Sequence, residues 1–278
     1  MRPSYGYRVD GARAILSLMR RDTILDTQLV SYAMKGTHTL PADGCAITSV
    51  TAQELLLMQG GELTRNNYYI PFFTDVALAM DTSQIRQHLK SLPARIRTRA
   101  GQRATDKFVL DFGRDYPAVI EYSHLATARL LNVGHGHLIK GYASVLERKS
   151  HRVVVDRLDF LIDQGVQCRA LTDAVAVTAL EMFAAFTAKY ALKKKFRNSL
   201  NDLLSLAVAV EAGALFKTED RLLAEFAAEH APSSIQEIGG VLAIDFAPEG
   251  SGRRLNRGTK GYVNRGWGVR RQAWRPDS

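Results

Sequence analysis

Residues 197–223, "RNSLNDLLSLAVAVEAGALFKTEDRLL", set an acid at each end of an apolar run. Leu203, Leu204, Leu206, Val208 and Val210 fit a buried helix over about 199–212, and Gly213 supplies its stop. "ALFKT" (214–218) then has the length of a short buried strand, and "DRLLAEFAAEHA" (220–231) is a second helix ended by Pro232. Asp202 falls in the first turn of the first helix, and Asp220 lies just past the strand. Helices alternating with short apolar strands argue for an α/β protein with a mainly parallel sheet covered on both faces.

The same texture recurs on both sides. "TILD" (23–26) is an apolar strand ending in Asp26, and "TQLVSYAMKG" (27–36) is a helix closed by Gly36. "AITSVTAQELLLMQGG" (46–61) predicts a helix with Thr51 as N-cap and Glu54 three residues on, a capping box stopped by Gly60 and Gly61. Further on, "RVVVDRLDFLIDQG" (152–165), "VQCRAL" (166–171) and "TDAVAVTALEMFAAFTAKYAL" (172–192) read as helix, strand and helix, and "GGVLAIDF" (239–246) as a last strand. Between 65 and 150 the pattern changes. There "KFVLDFG" (107–113) and "PAVIEY" (117–122) look like strands, while "NVGHGHLIKGY" (132–142) looks like loop. The division is therefore an N-terminal extension (1–21), a core made of 22–64 and 151–247, an inserted subdomain (65–150) and a C-terminal tail (248–278).

In open parallel α/β sheets, ligands bind beyond the carboxyl ends of the strands. Asp26 and Asp220 sit at such ends, and Glu54 and Asp202, in first helical turns, can face the same edge. Four converging carboxylates need cations, and Mg²⁺ or Mn²⁺ takes hard oxygen ligands of this kind. Such a centre activates water and stabilises the leaving oxygen in phosphodiester cleavage. Local readings stand beside this one. Glu54 and Asp202 have capping-box spacing from Thr51 and Ser199, Asp220 suits an N-cap, and Asp26 suits an Asx-turn.

At these residues the chain resembles the PIN-domain nucleases, the group that includes VapC-type toxin ribonucleases. The matching features are "ILDT" with Asp26 and Thr27, "TAQEL" with Glu54, "NDLLSLAVAV" with Asp202 and "KTED" with Thr218 and Asp220. The resemblance covers about 22–64 and 151–247. It implies a parallel-sheet fold and a metal-dependent endoribonuclease of toxin or defence type. Asp26, Glu54, Asp202 and Asp220 would hold the Mg²⁺ or Mn²⁺, and Thr218 would position a ligand or water. The 65–150 insertion and the tail depart from the compact toxins. Rival readings are a structure-specific DNA nuclease and a non-catalytic RNA-binding or assembly module.

The net charge of +9 is concentrated at one end. Residues 250–278 hold Arg253, Arg254, Arg257, Lys260, Arg265, Arg270, Arg271 and Arg275 against Asp277 alone, so the rest of the chain is nearly neutral. Trp267 and Trp274 interleave with these arginines. Arginine grips phosphate and aromatic rings stack on unpaired bases, so the tail reads as an arm for structured or single-stranded RNA. Two alternatives are a solubilising end and a segment that folds onto the body or onto a neighbouring subunit. "KKKFR", with Lys193, Lys194, Lys195 and Arg197, precedes the helix of Asp202 and is a second candidate for phosphate contact. A cluster from Arg86 to Lys107 is a third. Partners in keeping with this reading are RNA, an antitoxin-like inhibitor and a second copy of the chain. His135 and His137 lack a third ligand nearby and are ordinary loop residues on this reading. Cys45 and Cys168 stand far apart without zinc spacing, which suggests a reducing compartment. The first 23 residues lack the apolar block of a signal peptide and no stretch has membrane-spanning length, so a cytoplasmic location without membrane contact is expected.

Overall fold

The structure, a computed structural model, describes residues 22–41, 44–70, 81–91, 105–231 and 268–271. Its central feature is a four-stranded parallel sheet. The strands are β1 (Thr23–Leu25), β2 (Cys45–Thr48), β5 (Gln167–Arg169) and β6 (Leu215–Lys217), ordered β5-β2-β1-β6. Adjacent residues alternate between faces, as strand geometry requires. Ile24 and Ala46 enter one apolar cluster, while Leu25 and Ile47 enter the other.

Helices cover both faces. On the first lie α7 (Asp173–Lys189), α8 (Phe196–Glu211) and α9 (Arg221–His230), bringing Phe183, Leu203, Leu204 and Phe226 against Phe216 of β6. On the second lie α1 (Thr27–Met34), α2 (Ser49–Leu55), α4 (His124–Asn132), α5 (Gly136–Ala143) and α6 (Arg148–Asp163). The helix α3 (Thr82–Ser91) packs against α5. No helix among the described residues is long and apolar enough to cross a membrane.

The stretch between 65 and 150 shares these clusters. Its hairpin of β3 (Lys107–Asp111) and β4 (Val119–Tyr122) puts Phe108, Leu110, Phe112 and Val119 into the α7–α8 cluster. Leu130, Leu138 and Ile139 enter the cluster on the other face.

Within the loop expected at 132–142, Gly134 does turn the chain (φ +72°), but from Gly136 on the backbone is helical, and the reason is close packing. A Cβ on Gly136 would collide with Ile162 Cδ1, and one on Gly141 would meet Ile85 Cγ2 at 2.6 Å. These glycines let α5 approach α6 and α3; they do not mark turns.

Two helix starts also differ from expectation. The N-cap of α2 is Thr48, whose hydroxyl accepts the Thr51 N–H at 3.0 Å, so Glu54 lies in the second turn and plays no capping part. Helix α8 begins at Phe196 rather than near Ser199, because Ser199 Oγ accepts the Lys193 N–H at 2.8 Å and so serves the preceding loop. Asp202 is accordingly mid-helix.

Part of the tail folds back. Gly268–Arg271 forms β7, antiparallel to β3, with Leu110 opposite Val269 and Phe108 opposite Arg271. The expected strand at 239–246 and the N-terminal extension fall outside the described residues, as do Arg253, Arg254, Arg257, Lys260, Arg265, Trp267 and Trp274.

Candidate functional site

The sheet reverses its winding at β1. The connection from β1 through α1 leads to β2 on one side, while β6, reached through α7 and α8, pairs on the other. Beyond the carboxyl ends of β1 and β6 such an arrangement opens a crevice where ligands bind. Asp26 follows β1, and Thr218 to Asp220 follow β6.

Asp26 is 6% exposed, and Thr218 Oγ1 donates to its Oδ2 at 2.7 Å. The same Thr218 oxygen accepts the Asp220 N–H at 3.0 Å, so one threonine sets the geometry of both strand ends. Asp220 caps α9: its Oδ1 accepts the Leu222 and Leu223 N–H groups at 3.0 and 3.2 Å. The capping role weighed for this residue is real, and it uses Oδ1, leaving Oδ2 turned toward its neighbours. Thr27, at the start of α1, donates to Glu54 Oε2 at 2.9 Å and ties α2 to the same corner.

The centre of the group is a lysine. Lys193 Nζ lies 2.6 Å from Asp202 Oδ2 and 2.7 Å from Asp220 Oδ2, so the two carboxylates face each other across one ammonium. Its charge also acts on Asp26 and Glu54. Lys193 thus bridges Asp202 and Asp220, and all four acids lie within electrostatic reach of it.

Burial sets their protonation. Desolvation raises the pKa values of Asp26 and Glu54 despite the hydrogen bonds from Thr218 and Thr27. Asp202 is pushed up to about 7, chiefly by desolvation and further by the charges of Asp26 and Asp220, against the pull of Lys193. Asp220 is also penalised by desolvation, but the Lys193 ion pair and the helix N–H groups outweigh this and hold it below the ordinary aspartate value. Burial disfavours the Lys193 ammonium, yet the two carboxylates raise its pKa on balance.

Comparison with family models, curated proteins and solved structures finds no match to this chain.

Among the described residues, no three His, Cys, Asp or Glu side chains are spaced to ligate one ion as they stand. The donor chemistry nonetheless fits a hard divalent cation. The donors are carboxylate oxygens, and three of the four acids have raised pKa values because burial leaves their negative charge under-compensated.

Several polar side chains at this corner went unread in the sequence. Asn201 and Gln59 exchange amide hydrogen bonds of 2.8 and 3.3 Å, and Asn201 also bonds Glu54. Ser205 reaches Thr48 at 3.0 Å. Only the place of Asn201 and Ser205 on the inward face of α8, amid apolar neighbours, gives a hint. A cavity of about 130 Å³ opens beside β6, lined by Leu25, Leu29, Leu40, Pro41, Thr218 and Glu219.

The basic segment divides. Lys194 and Lys195 are exposed, while Lys193 is the counter-ion just described. Arg197 turns inward instead of toward solvent: Nη1 pairs with Glu121 at 2.8 Å and Nη2 donates to the Leu63 carbonyl at 3.0 Å. Glu121 Oε2 in turn accepts from His124 Nε2 at 3.1 Å, and the His124 Nδ1 lies 2.9 Å from Ser49 Oγ. Ser49, His124 and Glu121 have the connectivity of a nucleophile–base–acid triad. All three have no exposed surface, and Ser49 Oγ already accepts the Leu171 N–H, so the set is a buried structural tie. In the tail, Arg270 and Arg271 belong to β7, whose backbone extends the hairpin.

Proposed function

We propose that the chain is a PIN-like, metal-dependent endoribonuclease, with Mg²⁺ or Mn²⁺ held by Asp26, Glu54, Asp202 and Asp220. The observation that carries this reading is the gathering of four carboxylates, from β1, α2, α8 and the β6–α9 turn, around one cation at the switch point of a parallel sheet. Retaining four such acids at one edge costs folding energy, and metal-assisted phosphodiester hydrolysis is the chemistry that uses them. When bound, the metal supplies a Lewis acid and lowers the pKa of water at the site.

The protein residues prepare the acids. Thr218 and Thr27 fix one oxygen each of Asp26 and Glu54, leaving the second oxygen of each free of these two bonds. Asp202, raised to about 7 mainly by desolvation, is under-compensated without metal, and a divalent ion would favour its charged form. Lys194 and Lys195, exposed and next in the chain to Lys193, supply positive charge for the phosphate backbone. RNA is the substrate class favoured by the resemblance and by the cationic tail.

The test is cleavage of labelled structured RNA with Mn²⁺ or Mg²⁺ against chelator. Asp202→Asn and Asp220→Asn should each abolish metal-dependent cleavage while the far-ultraviolet spectrum stays native. Retained cleavage in either variant would overturn the assignment.

A second reading draws on Lys193. Because an ammonium already neutralises two of the acids, a non-catalytic RNA-binding or assembly module could keep this corner without metal. That reading predicts RNA binding indifferent to chelator and no cleavage under any metal.

A further inference from the structure

We propose that Lys193 is a built-in competitor of the divalent ion: its ammonium holds the carboxylate cluster closed and must leave before a metal can enter. This rests on the metal-site reading above and assigns a role to a residue that the nuclease chemistry itself does not require.

Three observations carry it. Lys193 Nζ sits within ion-pair distance of both Asp202 and Asp220, the acids from α8 and from the β6–α9 turn. Its charge also reaches Asp26 and Glu54, so one ammonium acts on all four acids as a metal there would. Finally, Lys193 stands on the loop between α7 and α8, held at its backbone by Ser199 Oγ, and its side chain is 41% exposed. A side chain so placed can swing to solvent while its backbone stays clamped. The chain thus keeps four acids folded together without metal, at the cost of weaker metal binding. An ammonium brings one charge and no coordination bonds, so a divalent ion at sufficient concentration displaces it. Once displaced, Lys193 joins the exposed Lys194 and Lys195 in solvent, where an RNA phosphate can hold it away from the carboxylates.

The experiment compares wild type, Lys193→Met and Lys193→Arg in two measurements: thermal unfolding in chelator, and calorimetric titration with MnCl₂. Lys193→Met should unfold several degrees lower than wild type without metal, because the acids lose their counter-ion. It should bind Mn²⁺ more tightly, on the order of tenfold, the cost of breaking two partly exposed ion pairs. Lys193→Arg keeps the charge, so its Mn²⁺ affinity should equal or fall below that of wild type. Unchanged or weaker Mn²⁺ binding by Lys193→Met would overturn competition, as would an unchanged metal-free melting temperature. If Lys193→Met does not fold, the arginine variant decides: tighter Mn²⁺ binding than wild type would overturn the proposal. Absence of Mn²⁺ heat in all three proteins would refute the metal site itself, and competition with it. Wild-type binding at an affinity unmoved by Lys193→Met would refute competition alone.

Discussion

Replacing Glu121 with Gln should be among the most damaging single changes in this protein. The carboxylate has no exposed surface and lies between Arg197 Nη1 at 2.8 Å and His124 Nε2 at 3.1 Å. Through Arg197 it anchors the first turn of α8, the helix that carries Asp202, to the β3–β4 hairpin. Removing one partner of a buried ion pair costs about 3–5 kcal/mol, because the other charge remains buried and unpaired. Against a typical stability of about 5–15 kcal/mol, that is a large fraction. With a urea m-value of about 2–3 kcal/mol per molar, the midpoint should fall by roughly 1–2 M. The double variant Glu121→Leu, Arg197→Met should recover most of the loss, since it buries no charge. Acid titration gives a second check. Burial disfavours the Glu121 carboxylate, but the His124 hydrogen bond and the Arg197 charge outweigh this and lower its pKa in the folded state. The unfolded chain therefore binds the proton first, and the stabilisation is complete above about pH 4.3, the unfolded glutamate value, and fades as pH falls toward the folded value. Wild type should lose stability over that window with a slope that Glu121→Gln lacks. A loss under about 1 kcal/mol, or identical acid slopes, would refute the buried-pair account.

The sign reverses at Asp202, whose pKa is raised to about 7. The folded state binds its proton more tightly, so metal-free stability should decline as pH rises from about 4 through 7, and Asp202→Asn should flatten that decline in pH-dependent melting curves. Asp220 combines two roles: Asp220→Ala should cost about 1 kcal/mol by uncapping α9, in addition to the lost Lys193 ion pair. Asp220→Asn, an equally good cap, loses the ion pair alone and should melt between Asp220→Ala and wild type, with cleavage lost in both. Deleting 250–278 removes β7 and bares the edge of β3, so the melting temperature should drop; intact stability would mean that β7 contributes no packing. Replacing only Arg253, Arg254 and Arg257 with Gln should spare the melting temperature and flatten the slope of log K against log salt for single-stranded RNA by about 2 if all three touch phosphate.

Much of this architecture was legible because it is local. A short apolar strand that runs into an acid, as in "TILD" and "LFKTED", fixes where Asp26 and Asp220 must stand, since chain direction and strand length suffice to put them at the carboxyl edge. The alternation of such strands with periodic helices likewise gives a parallel sheet without any knowledge of contacts. What failed were choices in which one side chain has several partners within reach. Thr48 and Thr51 are both plausible caps, and only the direct run of β2 into α2 decides between them. Ser199 has the spacing of a cap, yet its hydroxyl is taken by a loop N–H, so α8 starts a turn earlier. Gly136 and Gly141 mimic loop residues until Ile162 and Ile85 are seen pressing on them, whereas Gly134 is a true turn. Lys193 and Arg197 are four residues apart in one basic run, and the sequence treats them alike. The folded protein sends one to the carboxylates and the other to Glu121, across 76 residues of chain. Hydrophobic period and chain direction are properties of neighbours, so the sequence carries them. The partner of a charge is chosen by desolvation in the assembled core, so only the tertiary structure decides it.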